Sequence, residues 1–275
     1  MQTKGKTLVR YAAIALAGAV IATYFLPKQQ EVPTPQPRDY AEIAAEGTLR
    51  AITEYNSISY HVNQDSLSGF HYELVEAFAR DHGLQVEVTP EMSFHKRLKA
   101  LETGQQDLIA NGIPATSEWK DSLLLTVPIL LNKQVLVQRK ASSDADTTFI
   151  KSLVELAGKT LHTVKDSPTI LRIRNLEEEI GDTIYIKEVE KYGMEQLISM
   201  VAHGDIDYAV CEETIASAAA DSLPQIDIST AISFTQFYAW GVSKQSPVLL
   251  DSLNQWLDKY TKTKEYRSLY KKYYR

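Results

Sequence analysis

From Gly47 onward the chain switches repeatedly between two hydrophobic periods. Leu49-Arg-Ala-Ile-Thr53 is a short run of β type. The stretch Tyr72 to His82 then places Leu74, Val75, Phe78 and Ala79 at the spacing of one helix face. Gly83 closes that helix, and Leu84-Gln-Val-Glu-Val88 alternates apolar with polar as a half-buried strand does. A β-α-β unit is predicted. His95 to Thr103 predicts a second amphipathic helix closed by Gly104, and Asp107-Leu-Ile-Ala110 a third strand leading to a loop that opens with Asn111-Gly112. Helices covering a largely parallel sheet are the expected layers.

After Pro128, Lys133-Gln-Val-Leu-Val-Gln-Arg139 has β character and dissolves into the polar run Ala141 to Thr148, which predicts a strand crossing into a second lobe. The pattern then repeats. Ser152 to Ala157 reads as helical, Gly158 as a turn, Thr160 to Val164 as a strand, Thr169 to Ile180 as a helix and Tyr185 to Val189 as a strand. Gly193 to Ala202 follows as a helix and Ile206 to Val210 as a strand. The run Gly204-Asp-Ile-Asp-Tyr-Ala-Val-Cys211 echoes Gly104-Gln-Gln-Asp-Leu-Ile-Ala-Asn111, a weak internal repeat of helix, glycine and buried strand. Phe234 to Val242 predicts a strand crossing back, and Leu249, Leu250, Leu253, Trp256, Leu257 and Tyr260 a helix packed on the first lobe. The terminal Tyr266 to Tyr274 reads as a solvated helix end. Open sheets bind ligands beyond the carboxyl ends of their strands, so the loops Asn111 to Thr116 and Cys211 to Thr214 are expected to face one cleft.

The N-terminus differs in kind. Lys4, Lys6 and Arg10 precede an uncharged run from Tyr11 to Leu26, which is the pattern of an export signal. Both fates stay open, cleavage at small residues such as Ala17-Gly-Ala19 or retention of 1–28 as a membrane anchor. The charges lie before the apolar run, so everything after Pro27 is expected outside the cytoplasm, in the periplasm, tethered or released. Residues 29–40, with prolines at 33, 35 and 37, read as an extended linker.

Composition narrows the function. A chain of 275 residues with 44% apolar content builds sizeable cores, and a net charge of −6 argues against a nucleic-acid partner. Cys211 is the sole cysteine, which excludes an intrachain disulfide, a Cys-rich metal site and a lipid anchor near the N-terminus. The six histidines are scattered with no metal-ligand spacing, and no nucleophile elbow, zincin motif or phosphate-binding glycine loop occurs. No metal, cofactor or catalytic residue is expected.

Gly47-Thr-Leu-Arg50, Gly69-Phe-His-Tyr-Glu-Leu74 and Asp107-Leu-Ile-Ala-Asn-Gly-Ile-Pro-Ala-Thr-Ser-Glu-Trp119, in that order, resemble the first lobe of the family 3 periplasmic solute-binding proteins. The likeness spans roughly residues 45 to 273. Glu190-Lys-Tyr-Gly-Met-Glu-Gln-Leu-Ile-Ser-Met-Val-Ala-His-Gly-Asp-Ile-Asp-Tyr-Ala-Val210 is most similar to the non-catalytic regulatory module of membrane-bound lytic murein transglycosylases, so peptidoglycan cleavage is not implied. The resemblance implies a type II periplasmic binding fold, two α/β lobes joined by two crossing strands and closing like a hinge. Lobe one would be 41–134 plus 236–275, and lobe two 135–235.

Carried over position by position, the resemblance implies a cleft built from Glu54, Tyr55 and Tyr60 after the first strand, Gly112, Ile113 and Thr116 on the next loop, Ser167 and Thr169 in lobe two, and Glu212, which matches an acidic residue for a ligand ammonium. The position that usually carries an arginine for the ligand carboxylate is Trp119. An indole offers one N–H donor and a flat apolar face, so a free α-amino acid loses its best anchor, unless Lys120 or Lys165 replaces it or Trp119 points into the core. The expected function is binding of a small ligand, an amino-acid derivative, short peptide or cell-wall fragment, for transport or sensing, with a permease or cell-wall enzyme as partner. The alternative is a ligand-poor regulatory module that docks such a partner. A dehydratase-type enzyme, with Glu54 facing Glu212, is the third reading.

Overall fold

The computed structural model describes residues 36–274 except Asp65 and Asp144. The expected signal or anchor at 1–28, and the linker up to residue 35, lie outside the described residues. The family-type α/β architecture appears as two mixed sheets with helices packed on them.

The first sheet contains β1 (Thr48–Thr53), β4 (Gln85–Pro90), β5 (Leu108–Pro114), β6 (Leu124–Leu125), β7 (Leu130–Asn132) and β13 (Gln236–Val242). Its order is β4-β1-β5-β13-β6, with β7 also paired to β13. The second contains β8 (Gln134–Arg139), β9 (Thr160–Val164), β10 (Tyr185–Val189), β11 (Ala209–Glu212) and β12 (Ile226–Asp227), in the order β10-β9-β11-β8-β12. Three neighbouring strands in each sheet run parallel, and the rest are antiparallel additions. The hairpin β2 (His61–Asn63) and β3 (Ser66–Ser68) stands apart.

Most helices fill predicted places, while Tyr40–Glu46 and Glu213–Ala220, the latter starting inside the loop expected at Cys211 to Thr214, were not anticipated. The helices are α1 (Tyr40–Glu46), α2 (Phe70–His82), α3 (Phe94–Glu102), α4 (Thr169–Ile180), α5 (Met194–His203), α6 (Glu213–Ala220), α7 (Pro247–Tyr260) and α8 (Lys264–Tyr273). Asp39 fixes two of them at once. Its carboxylate accepts from Tyr40 N at 2.8 Å to cap α1 and from Leu249 N at 2.7 Å in the first turn of α7, where the unsatisfied amides and the helix dipole favour negative charge. The aspartate ahead of the third strand also acquires a role. The buried Asp107 carboxylate accepts from Arg50 N at 2.8 Å and from Arg38 Nε at 3.0 Å, which pins β5 to β1 and to the segment before α1.

Three boundaries differ from the sequence reading. Asn111-Gly112 does not open a loop, because β5 continues to Pro114, where β13 supplies an antiparallel partner for Ile113 and Pro114. Residues 152–157 form only a 3-10 turn at Leu153–Leu156. The strand expected from Ile206 begins at Ala209, since the carbonyl of Ile206 is taken by Arg139 Nη1 at 2.9 Å instead of by a neighbouring strand.

The chain passes between the sheets twice, at Asn132 to Gln134 and at Ser233 to Gln236. These passages are hydrogen-bonded to each other, Gln134 N donating to Ser233 Oγ at 2.9 Å and Ile232 N to Gln134 O at 2.8 Å. A large apolar cluster runs from Leu74, Phe78 and Trp240 to Val135 and Leu197, and smaller ones lie around Leu161 and around Phe94.

The loop after β1 is held against α2 by a close backbone approach. Gly69 has φ +136°, and a Cβ there would meet the Ser59 carbonyl oxygen at 2.3 Å. G69A combines a strained backbone with a clash that no side chain relieves. It should cost about 3 kcal/mol in urea unfolding, and a loss under 1 kcal/mol would show that the loop has room to shift.

Candidate functional site

The carboxyl ends of β1, β9 and β11 bring three charged or hydroxyl-bearing segments to a small cavity between the sheets. Glu54 follows β1, Ser167 and Thr169 follow β9, and Glu212 ends β11. Arg97 enters from α3, with Asn111 and Gly112 from β5 and Gln134 from β8. The cavity measures about 20 Å³, roughly the space of one water molecule. Met92 and Met194 wall it, and the sheets meet beside it, since a Cβ on Gly193 would lie 2.5 Å from Met92 Cε.

Its electrostatics are unbalanced. Glu54 and Arg97 are buried, 8% and 3% exposed, with Glu54 Oε2 at 3.5 Å from Arg97 Nη2. Arg97 Nη1 donates to the carbonyl oxygens of Glu91 at 2.5 Å and Met92 at 3.2 Å. Glu212 accepts from Asn132 Nδ2 at 3.0 Å. Burial pushes the Glu54 carboxyl up against the pull of Arg97, and burial, with the negative field of Glu54, pushes Glu212 to about 8. Burial likewise draws the Arg97 guanidinium down, opposed by Glu54, Glu91 and Glu212. One cation faces two carboxylates in a space with little water, so the second carboxylate holds a proton near neutral pH.

Polar atoms without partners mark the same place. Asn111 Oδ1, Gln134 Oε1 and Arg97 Nε are buried and make no hydrogen bond among the described residues. The buried Tyr238 hydroxyl lies against the Gln134 side chain. Buried polar groups are nearly always satisfied in folded proteins, and a cluster of exceptions in a cleft points to a ligand.

The residues expected from the sequence divide into two sets. Glu54, Gly112, Ser167, Thr169 and Glu212 line the cavity together. Tyr55, Tyr60, Ile113, Thr116 and Trp119 do not. Tyr55 is exposed and meets the buried Tyr60 edge-on at 6.2 Å, and Ile113 lies in the apolar cluster under β5. Thr116 precedes the 3-10 turn Ser117–Asp121. Trp119 packs edge-on against Phe94 at 5.0 Å, so it belongs to the first-lobe core. Lys165 pairs with Glu190 at 3.1 Å, away from the cavity.

Arg97 and Gln134 were missed, and Asn111 was expected only as the start of a loop facing the cleft. For Arg97 a signal existed, because Phe94, Arg97 and Leu101 fall on one helix face, and a charge inside an apolar stripe at that spacing is out of place unless it meets a partner. The arrangement offers no activated nucleophile. The Cys211 thiol is fully buried and pushed far up by burial, and Ser167 Oγ pairs only with Thr163 Oγ1 at 3.2 Å. Among the described residues no cluster of His, Cys, Asp or Glu would hold a metal ion.

The family of bacterial extracellular solute-binding proteins, family 3, matches residues 48–275. Among curated relatives, the membrane-bound lytic murein transglycosylase F of Desulfosudis oleivorans is 28% identical over 234 residues, covering 85% of this chain and 50% of that protein. The protein of the same name from Saccharophagus degradans is 25% identical, covering 91% and 48%. The chain spans about half the length of these relatives. Among solved structures, an ancestral arginine-binding protein bound to arginine is similar with TM-score 0.72 and 25% identity, covering 83% of this chain and 99% of that one. A histidine-bound substrate-binding protein of an ABC uptake transporter from Streptococcus pneumoniae, 20% identical with coverage of 86% and 95%, shares the fold with TM-score 0.75.

The Glu212 shift sets a pH dependence. Its carboxyl titrates near 4.5 when exposed and near 8 when folded, so the folded state holds the proton more tightly. The stability this group contributes is fully present below about pH 4.5 and is lost as pH rises through about 8. E212Q should remove a decline on the order of 3 kcal/mol between urea unfolding at pH 5 and at pH 8.5. An equal decline in wild type and E212Q would mean that Glu212 is ionised and solvated.

Proposed function

The chain belongs to the bacterial extracellular solute-binding proteins, family 3, and from that premise we propose that it is a receptor whose two lobes, 41–134 plus 236–275 and 135–235, close on a small solute. The observation that carries this reading is the cavity where Glu54 after β1 and Arg97 of α3 meet Glu212 of β11 and Gln134 of β8, with unpaired polar atoms on both sides. The two bonded passages at Gln134 and Ser233 supply the hinge. A latch crosses opposite them, where Glu195 in the first turn of α5 accepts from Ser57 N at 2.9 Å. A cavity of one-water size requires the lobes to part before a solute enters. The site residues proposed are Glu54, Arg97, Asn111, Gly112, Gln134, Ser167, Thr169 and Glu212. The match to an extracellular solute-binding family supports a position outside the cytoplasm, and retention at the membrane through 1–28 belongs to the same proposal.

A second reading rests on the curated relatives, which carry the name of a membrane-bound lytic murein transglycosylase and of which this chain matches about half. In that reading the closing domain regulates a cell-wall enzyme, and the solute is the signal. Both readings need a bound ligand, whereas a pure docking module does not.

Thermal unfolding of the full chain against free amino acids, amino-acid amides, short peptides and muropeptides separates these cases. A solute at 100 times its Kd adds about 2.7 kcal/mol of stability. At least one class should raise the Tm of wild type, E212Q should diminish the rise while remaining folded, and W119F should keep it. No rise with any class would contradict the receptor reading and favour docking without a solute.

A further inference from the structure

We propose that the cavity recognises an ammonium group whose neighbouring carboxyl is blocked or absent, as in a peptide N-terminus, an amino-acid amide or a simple amine. The inference rests on the receptor reading above and narrows its ligand.

Acceptors dominate the site. The carboxylates of Glu54 and Glu212 line it, and so do Asn111 and Gln134, which are 6% and 3% exposed and carry unpartnered Oδ1 and Oε1 atoms. An ammonium brings three donors on a compact point charge, of about the size of the water the cavity admits. Entry of such a group would satisfy the orphaned oxygens and balance the second carboxylate in one step.

A ligand carboxylate finds no free guanidinium fork. Arg97 is the guanidinium of the cavity, and its Nη1 is engaged by the carbonyls of Glu91 and Met92 while Nη2 faces Glu54. Only Nε remains, a single donor where carboxylate recognition calls for a bidentate fork. The backbone amides beyond Gly112 are occupied as well, since Ala115 N donates to Phe237 O and Thr116 N to Pro114 O, both at 2.8 Å. Trp119, at the position where the family resemblance expects an arginine, is turned into the core against Phe94. A carboxylate would also be repelled by Glu54 and would face the unpartnered oxygens of Asn111 and Gln134 in a medium of low dielectric.

The test is isothermal titration of the full chain with free glycine, leucine, lysine and arginine, their amides, and N-acetyl-leucinamide. For at least one side chain the amide should bind about tenfold or more tighter than the free acid, the loss of one charge-assisted contact and one repulsion being ample for that factor. N-acetyl-leucinamide should not bind, and E212Q should weaken the best amide about tenfold while its Tm without ligand does not fall. A free acid binding as tightly as its amide, or N-acetyl-leucinamide binding as tightly as leucinamide, would overturn the inference and leave the receptor reading standing. Absence of binding by every probe would remove both.

Discussion

Two carboxylates and one guanidinium share a nearly dry space between two sheets, and the electrostatics of the cavity follow from that imbalance. A buried Glu54–Arg97 pair alone would be close to neutral in its effect, Coulomb attraction offsetting desolvation. Adding Glu212 from the facing sheet makes full ionisation costly, so its carboxyl is pushed up to about 8. The cost is endured where packing could have removed it. Replacing Glu212 by an apolar side chain of similar volume is the cheaper solution for stability.

The scaffold exists to bring these groups together from distant parts of the chain. Parallel strands deliver Glu54, Ser167 and Glu212 at their carboxyl ends, and antiparallel β13 closes β5 so that Gly112 sits against Tyr238, where a Cβ would approach Cδ1 to 2.9 Å. Asp39 and Asp107 anchor the surrounding helices and strands through backbone amides, so these carboxylates serve structure while Glu54 and Glu212 are left for the cleft. His71 is likewise structural. It accepts from Trp240 Nε1 at 2.9 Å, and burial takes its pKa to about 3.

The alternation of periods made the elements legible, and Thr160 to Val164, Thr169 to Ile180 and Tyr185 to Val189 match the sequence reading residue for residue. The cavity-lining positions that follow strand ends, Glu54, Ser167, Thr169 and Glu212, were legible because topology fixes where such positions point. Those within regular elements were not. Gln134 and Asn111 look like ordinary members of β8 and β5, and their importance comes from an unpaired oxygen that only packing reveals. Trp119 shows the opposite failure, since its loop position implied the cleft while its indole gains more by stacking on Phe94 than by facing water.

Hinged closure around a solute is the central claim, and a distance across the cleft tests it most directly. Spin labels at K99C on α3 and K191C before α5 lie on exposed positions of opposite sheets, and the native Cys211 thiol is too buried to compete for the label. The account predicts a broad distance distribution in the full chain alone and a shorter, narrower one when a binding amine is saturating. Identical distributions with and without that ligand would contradict it.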